Sequence, residues 1–214
     1  MYLTSEDTRS ALKKMVSFNR DLTSLYEGYG LNIMSNTGRR NALLSAVQEE
    51  FFAQELQKKF PNAKCDGKTG YPDILIPELN VELECKITSP TETGGINLQA
   101  DHESLGHSKD FLYVIADRNF DKFAVFLFQG LTKEDFSNNI ASSRGKVKMK
   151  KSTAFKKAHV LHGSFQSRKE RFVSEIHEML KAPKIAPGKL RKLKERLKYW
   201  EDAEDSISVN FSPV

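Results

Sequence analysis

Between Asp73 and Ile87 the chain reads Asp-Ile-Leu-Ile-Pro-Glu-Leu-Asn-Val-Glu-Leu-Glu-Cys-Lys-Ile, two apolar stretches separated by Pro77-Glu78-Leu79-Asn80. Two β-rich runs around a short Pro- and Asn-containing break are the pattern of a β-hairpin, with strands expected at 73–76 and 81–88. Strand side chains alternate between faces. In the second strand Val81, Leu83, Cys85 and Ile87 therefore point one way, while Glu82, Glu84 and Lys86 point the other. Such a strand must lay its apolar side on a core and leave its ionic side open to water or to a charged ligand. This ties the hairpin to a layered fold with one covered sheet face.

The remaining chain supplies helices for that layer. Thr4-Ser5-Glu6-Asp7 is a helix cap, and Leu12, Met15, Val16, Asn19, Leu22 and Tyr26 recur at helical spacing, so a helix is expected from Ser5 to about Tyr26, ended by Gly28 and Gly30. A second runs from about Arg39 to Phe60, with Leu43, Leu44, Val47 and Phe51 on its inward side and Pro61-Asn62 after it. Ser89 to Lys109 is polar, contains Gly94-Gly95 and has a short helix expected around Leu98 to Leu105. Phe111 to Ala116 and Phe123 to Phe128 are β-rich. Leu131-Thr132-Lys133-Glu134-Asp135 reads as a capped helix start and Arg144 to Lys157 as basic and irregular. Helices near Ser167–Lys181 and Pro187–Glu204 close the chain. The fold class expected is α/β in the α+β sense, on one core, since 214 residues with 39% hydrophobic content suit a single domain.

Composition removes several function classes. Cys65 and Cys85 are too few for a disulfide framework and lack zinc-site spacing, and the chain has no signal-peptide pattern and no apolar run near the ~20 residues of a membrane span, so a soluble cytoplasmic protein is expected. The formal charge of +5 is unevenly spread: Arg144 to Trp200 holds eighteen Lys or Arg against four acids, whereas the residues before hold fifteen against twenty. A dense cationic segment suits a polyanion, since neutralised phosphates release condensed counterions; a solvated helical face is the plainer reading.

If the hairpin folds back, Asp73 approaches Glu84 and Lys86, placing two carboxylates and an ammonium at one end of the sheet. Carboxylate oxygens suit a hard cation such as Mg²⁺, and Lys86 beside it would position water or offset developing negative charge. Proton abstraction by Lys86 would require a lowered pKa. Pro72-Asp73, a ten-residue spacer and Glu84-Cys85-Lys86 resemble the signature of the PD-(D/E)XK nuclease superfamily, which places the aspartate on one hairpin strand and Glu-x-Lys on the next, after a helix. The resemblance covers roughly Leu43 to Phe128. It implies a restriction-endonuclease-like central mixed sheet flanked by helices, a Mg²⁺-dependent endodeoxyribonuclease with Asp73 and Glu84 as metal ligands and Lys86 catalytic, a catalytic core at about 39–130 and a basic helical region at about 144–204.

The same resemblance implies a further acid on the preceding helix, for which Glu50 is the candidate, beside Leu43 and Val47, with Glu49 expected to point elsewhere. Gln99 is similar to the glutamine that some branches of the family add. Candidate DNA contacts are Arg39, Arg40, Lys68 and Thr69 near the cleaved bond, Asn97 in the excursion after the hairpin, and Arg144, Lys146 and Lys148 in a basic stretch that is either a β-ribbon or a flexible arm. Leu190, Leu193, Leu197 and Trp200 form an apolar seam, packed either on the chain's own core or on a second subunit. The reading that follows is a type II restriction-endonuclease-like homodimer cutting a short sequence in double-stranded DNA, as in restriction-modification. Its rivals are a nuclease of the same fold acting on branched DNA, such as a junction resolvase or repair nuclease, and a non-catalytic DNA-binding module.

Overall fold

A computed structural model describes residues 1–65, 68, 71–91, 94–140, 145–203 and 206–214. In chain order the elements are helices α1 (Ser5–Gly28) and α2 (Thr37–Gln57), strands β1 (Ile74–Ile76), β2 (Val81–Thr88), β3 (Gln99–Asp101), β4 (Lys109–Ala116), β5 (Lys122–Leu131), β6 (Phe136–Ile140) and β7 (Lys146–Met149), helix α3 (Lys151–Lys157), strands β8 (His159–His162) and β9 (Ser164–Ser167), helices α4 (Arg168–Leu180) and α5 (Pro187–Asp202), and strands β10 (Ile207–Asn210) and β11 (Ser212–Pro213). The architecture is mixed α/β, as expected.

The main sheet runs β1-β2-β4-β5, with β8 and β11 sharing the far edge of β5. β2 and β4 are parallel, and the other pairs in this sheet are antiparallel. β4 and β5 are buried on both faces, which is why Phe-Leu-Tyr-Val-Ile-Ala and Phe-Ala-Val-Phe-Leu-Phe read as unbroken apolar runs. Leu112, Val114, Val125 and Leu127 face one core, closed by Leu12 and Met15 of α1 and Leu44, Phe52 and Leu56 of α2. Phe111, Tyr113, Phe126 and Phe128 face a second, roofed by Ala100, Phe136, Val147 and Met149 of the antiparallel sheet β3-β7-β6, with Ala154, Ile207 and Val209. β2 lays Leu83 and Cys85 into the first core, with Val81 and Ile87 packed at its margin.

Both long N-terminal helices form close to their expected bounds. Thr4 caps α1 through a reciprocal box with Asp7, and Asn36 caps α2 by accepting the Arg39 N–H at 3.0 Å. The inward stripe of α2 differs from expectation: Leu43 is exposed and the buried residues are Arg40, Leu44, Gln48, Phe52, Ala53, Glu55 and Leu56. Arg40 is fully buried; its Nη1 donates to Arg118 O at 2.6 Å, its Nη2 to Asp117 O at 3.2 Å, and its guanidinium lies 4.9 Å from the Phe120 ring centroid. Burial lowers the Arg40 pKa, opposed by Asp117. Its role is to tie α2 to the β4–β5 turn, which removes it from the candidate DNA contacts.

Three further expectations are corrected. The helix start at Thr132 is a single capped turn, Lys133–Asp135, after which Phe136 enters β6; Leu98–Leu105 divides into β3 and a short turn, His102–Leu105. Within the basic stretch, Lys146–Met149 is a strand and Lys151–Lys157 a helix. The short strands from β8 to β11 carry no strong sequence signal. Gly163, at φ +70° between β8 and β9, allows the chain to leave the main sheet there, because an added Cβ would sit 2.7 Å from Asn210 O and 2.9 Å from Phe123 O. Among the described residues, no helix is long and apolar enough to cross a membrane.

Candidate active site

The register of the β1–β2 hairpin decides what meets at its open end. Ile74 pairs with Leu83, so Asp73 falls beside Glu84. The Asp73 carboxylate is then fixed by accepting the Cys85 N–H through Oδ2 at 2.7 Å. Lys86, two residues after Glu84 and on the same face, brings Nζ to 2.6 Å from Glu84 Oε1 and 3.7 Å from Asp73 Oδ2. The three side chains expected to meet therefore do so.

They sit in a cleft of about 680 Å³ that Tyr71 and Pro72 border on one side and Asp101, His107 and Lys109 on another. Burial raises the Asp73 pKa, and Glu84 adds to this while Lys86 and the Cys85 N–H oppose it. Burial would lower the Lys86 pKa, but Glu84 and Asp73 more than offset it and hold the ammonium above its ordinary value. Lys86 is thus a firm cation in this arrangement. The Cys85 thiol is pushed up by burial, which keeps it out of the chemistry.

The acid contributed by α2 is Glu49 and not Glu50. Glu50 is exposed and accepts Gln54 Nε2 at 2.9 Å, whereas Glu49 is half-buried, lines the cleft and accepts the Cys65 thiol through Oε2 at 3.8 Å. The Glu49 pKa is pushed up to about 7 by burial and by Asp73, with Lys86 and Cys65 opposing. The rotation follows from the burial of Arg40, Gln48 and Glu55: these polar residues lie on the true inward face, so hydrophobicity alone placed the stripe about one residue out of phase. Glu49 stands three and four residues before Phe52 and Ala53, both buried, and that spacing is the signal that would have located it.

The other candidates separate clearly. Lys68 lines the cleft with its Nζ 5.8 Å from the Tyr71 ring centroid, while Thr69 and Arg144 lie outside the described residues. Arg39 and Asn97 are exposed. Gln99 stands on β3 opposite Lys148 of β7, and its carbonyl accepts the Tyr113 hydroxyl at 2.9 Å. Lys146 pairs with Asp101 at 2.6 Å and Lys148 is exposed, whereas Val147 and Met149 between and after them are buried, so the basic stretch is a ribbon with a cationic outer side that reaches the cleft at Asp101. Glu82, also on the ionic face, is taken up by His107 at 2.6 Å and Lys109 at 3.5 Å.

A donor set of Asp73 and Glu84, with Glu49 behind them, is all oxygen and suits a hard divalent ion. Among the described residues no three His, Cys, Asp or Glu converge as a preformed metal cage. No protein-family model matches this chain, and no curated protein matches it either.

Proposed function

We propose that this chain is a Mg²⁺-dependent nuclease of the PD-(D/E)XK type that hydrolyses phosphodiester bonds in double-stranded DNA at a short specific sequence, in the manner of a type II restriction endonuclease. The observation that carries the proposal is the meeting of Asp73, Glu84 and Lys86 across neighbouring strands, with Lys86 Nζ 2.6 Å and 3.7 Å from the two carboxylates. Lys68, Lys86 and Lys109 in the cleft lining, with Lys146 of the neighbouring ribbon paired to Asp101 at its margin, support a polyanionic substrate.

A divalent ion held by Asp73 and Glu84 would supply a Lewis-acid contact to a phosphate oxygen and an acidified water. Asp73 is held in place for this by the Cys85 N–H, which donates to its Oδ2 at 2.7 Å. Lys86, whose pKa Glu84 and Asp73 hold above its ordinary value in the ion-free site, supplies positive charge against the developing pentacovalent phosphate, and a divalent ion on those carboxylates would lower that pKa. Glu49 completes the wall on the helix side, where its carboxyl would be available to a water of the site. A homodimer would match a palindromic site by presenting two such clefts.

The test is incubation of the purified chain with unmethylated phage DNA and Mg²⁺, beside Lys86→Ala, Asp73→Ala and an EDTA control. Discrete fragments from the unsubstituted chain, lost by a factor of about 100 or more in each variant, are expected, since removing one electrostatic stabiliser commonly costs 10²–10³ in rate. Absence of cutting across varied sequences, or cutting that survives both substitutions, would overturn the proposal.

A further inference from the structure

α4 and α5 form a helical hairpin that neither of the two cores requires. Phe172 and Trp200 stack with centroids 4.4 Å apart at 18°, Ile176 and Leu193 are buried, and no residue of either helix belongs to the clusters on the two faces of the main sheet. The seam of Leu190, Leu193, Leu197 and Trp200 is thus used within the chain, against α4. The hairpin is rooted on β9 and β10: the Arg168 N–H donates to Ser206 O at 2.8 Å and Arg171 Nη1 to Ser208 Oγ at 3.1 Å.

The outer surface of α5 is arranged against the helix's own stability. Lys189, Arg191, Lys192, Lys194, Arg196 and Lys198 are all exposed, and the opposing acid among them is Glu195, 3.8 Å from Arg191 Nε. Lys189, Lys192 and Arg196 form one row at i, i+3 and i+7, and Arg191, Lys194 and Lys198 form another, so like charges stand one turn apart along each flank. Three of these cations, Lys189, Arg191 and Lys192, fall in the first six residues, at the positive end of the helix dipole, and the first turn carries no acid. Self-repelling rows on an element outside both cores are relieved by a polyanion, whose phosphates would neutralise them. A lipid surface suits less well, because Leu193 is buried and Trp200 stacks on Phe172 of α4, which leaves α5 no continuous apolar face to enter a bilayer interface.

We infer that the α4–α5 hairpin is an arm that grips the phosphate backbone of duplex DNA outside the bond being cut. The inference rests on the nucleic-acid reading of the cleft for its choice of polyanion. Its placement follows from the sheet order: β8, which leads into β9, stands three strand positions from β2, roughly 14 Å at the usual strand spacing. The arm therefore contributes affinity and register, and the reacting phosphate stays with Asp73, Glu84 and Lys86.

The experiment measures binding of the full chain to a 30-base-pair duplex in EDTA, so that binding is read without cleavage, over a series of salt concentrations. The variant carries Lys189→Gln, Arg191→Gln, Lys192→Gln, Lys194→Gln, Arg196→Gln and Lys198→Gln; a control carries Lys13→Gln, Arg20→Gln and Lys122→Gln on other surfaces. One row of three facing the duplex predicts that the slope of log K against log salt falls by about 2.7 in the variant, at ~0.9 per phosphate contact. Circular dichroism should show the variant melting at or above the unsubstituted temperature, since self-repulsion has been removed. An unchanged slope in a folded variant, equal losses in the control, or equal binding to anionic phospholipid vesicles would overturn the arm. If the chain binds duplex through α5 yet never cuts with Mg²⁺, the nuclease reading falls and the arm stands.

Discussion

Glu49→Gln should make this protein more stable at neutral and alkaline pH while removing part of its function. The carboxyl is half-buried and faces Asp73 and Glu84, and its pKa is pushed up to about 7 from the ordinary 4.5, by burial first and by Asp73 next. In the unfolded chain Glu49 ionises near its ordinary value, so between these two pH values the folded state holds a proton that the unfolded state has released. Stability is therefore lost progressively as pH rises from 4.5 to about 7, and the cost is at its full size above that. At about 1.4 kcal/mol per tenfold change in proton affinity the full cost is roughly 3 kcal/mol, and partial exposure of the side chain discounts it to about 1–2 kcal/mol.

Urea unfolding in EDTA, at pH 8 and near pH 4, reads this directly. Glu49→Gln should exceed the unsubstituted chain by about 1–2 kcal/mol at pH 8 and match it near pH 4, while Glu50→Gln, on the exposed face, should stay within about 0.5 kcal/mol at both. An equal gain at the two pH values would mean that side-chain packing, not charge, is responsible; a loss at pH 8 would refute the electrostatic account of the site. Adding Mg²⁺ should stabilise the unsubstituted chain more than Glu49→Gln, because an ion among the carboxylates offsets the repulsion that the substitution relieves.

Two other outcomes follow from the same kind of accounting. Arg40→Ala should lose about 3–5 kcal/mol in thermal or urea unfolding, because the buried carbonyls of Arg118 and Asp117 lose a charged donor and Phe120 loses its cation, whereas Arg39→Ala should change stability by less than about 0.5 kcal/mol; similar small effects for both would refute the buried anchor. Acid unfolding should be governed by Asp7, Glu55 and Asp135. Burial would raise each pKa, but Lys59 and Thr4, Lys58 and Lys14, and Thr132 and Lys157 respectively outweigh it and lower all three, so their stabilisation is complete above the ordinary carboxylate range and is lost as pH falls through the depressed values. A melting temperature followed from pH 6 to pH 2 should fall less steeply for Glu55→Gln than for the unsubstituted chain.

How far the sequence discloses this molecule depends on which force sets each feature. The β1–β2 hairpin is legible because alternation in Val81 to Ile87 and the break at Pro77 to Asn80 are local, and the register that brings Asp73 to Glu84 follows from them. β4 and β5 are legible as apolar runs but not as strands with two distinct cores, since period-two alternation disappears when both faces are buried. α2 was rotated because its inward face carries Arg40, Gln48 and Glu55, whose burial is made possible by partners far along the chain, such as the Asp117 and Arg118 carbonyls and Lys14. That rotation is the whole difference between Glu50 and Glu49. The short strands from β8 to β11 are fixed by pairing with β5 and with each other, a long-range cause with little local trace.

The same distinction explains where the candidate site sits. Glu84 and Lys86 project from β2, a strand held between β1 and β4 and therefore rigid, whereas Asp73 lies just before a three-residue edge strand that on its own would hold a side chain loosely. The Cys85 N–H supplies what the short strand lacks, anchoring the Asp73 carboxylate to the central strand at 2.7 Å. An edge strand kept this short leaves few backbone groups open to unwanted pairing and leaves the cleft beside it accessible to a large ligand. Asp73→Asn preserves shape but replaces a charged acceptor with a neutral one or turns an amide N–H toward the Cys85 N–H. It should thus loosen the Asp73 position as well as weaken any bound cation, and amide exchange at Cys85 should quicken. Unchanged exchange at Cys85 would mean that the hairpin, and not this bond, holds the carboxylate in place.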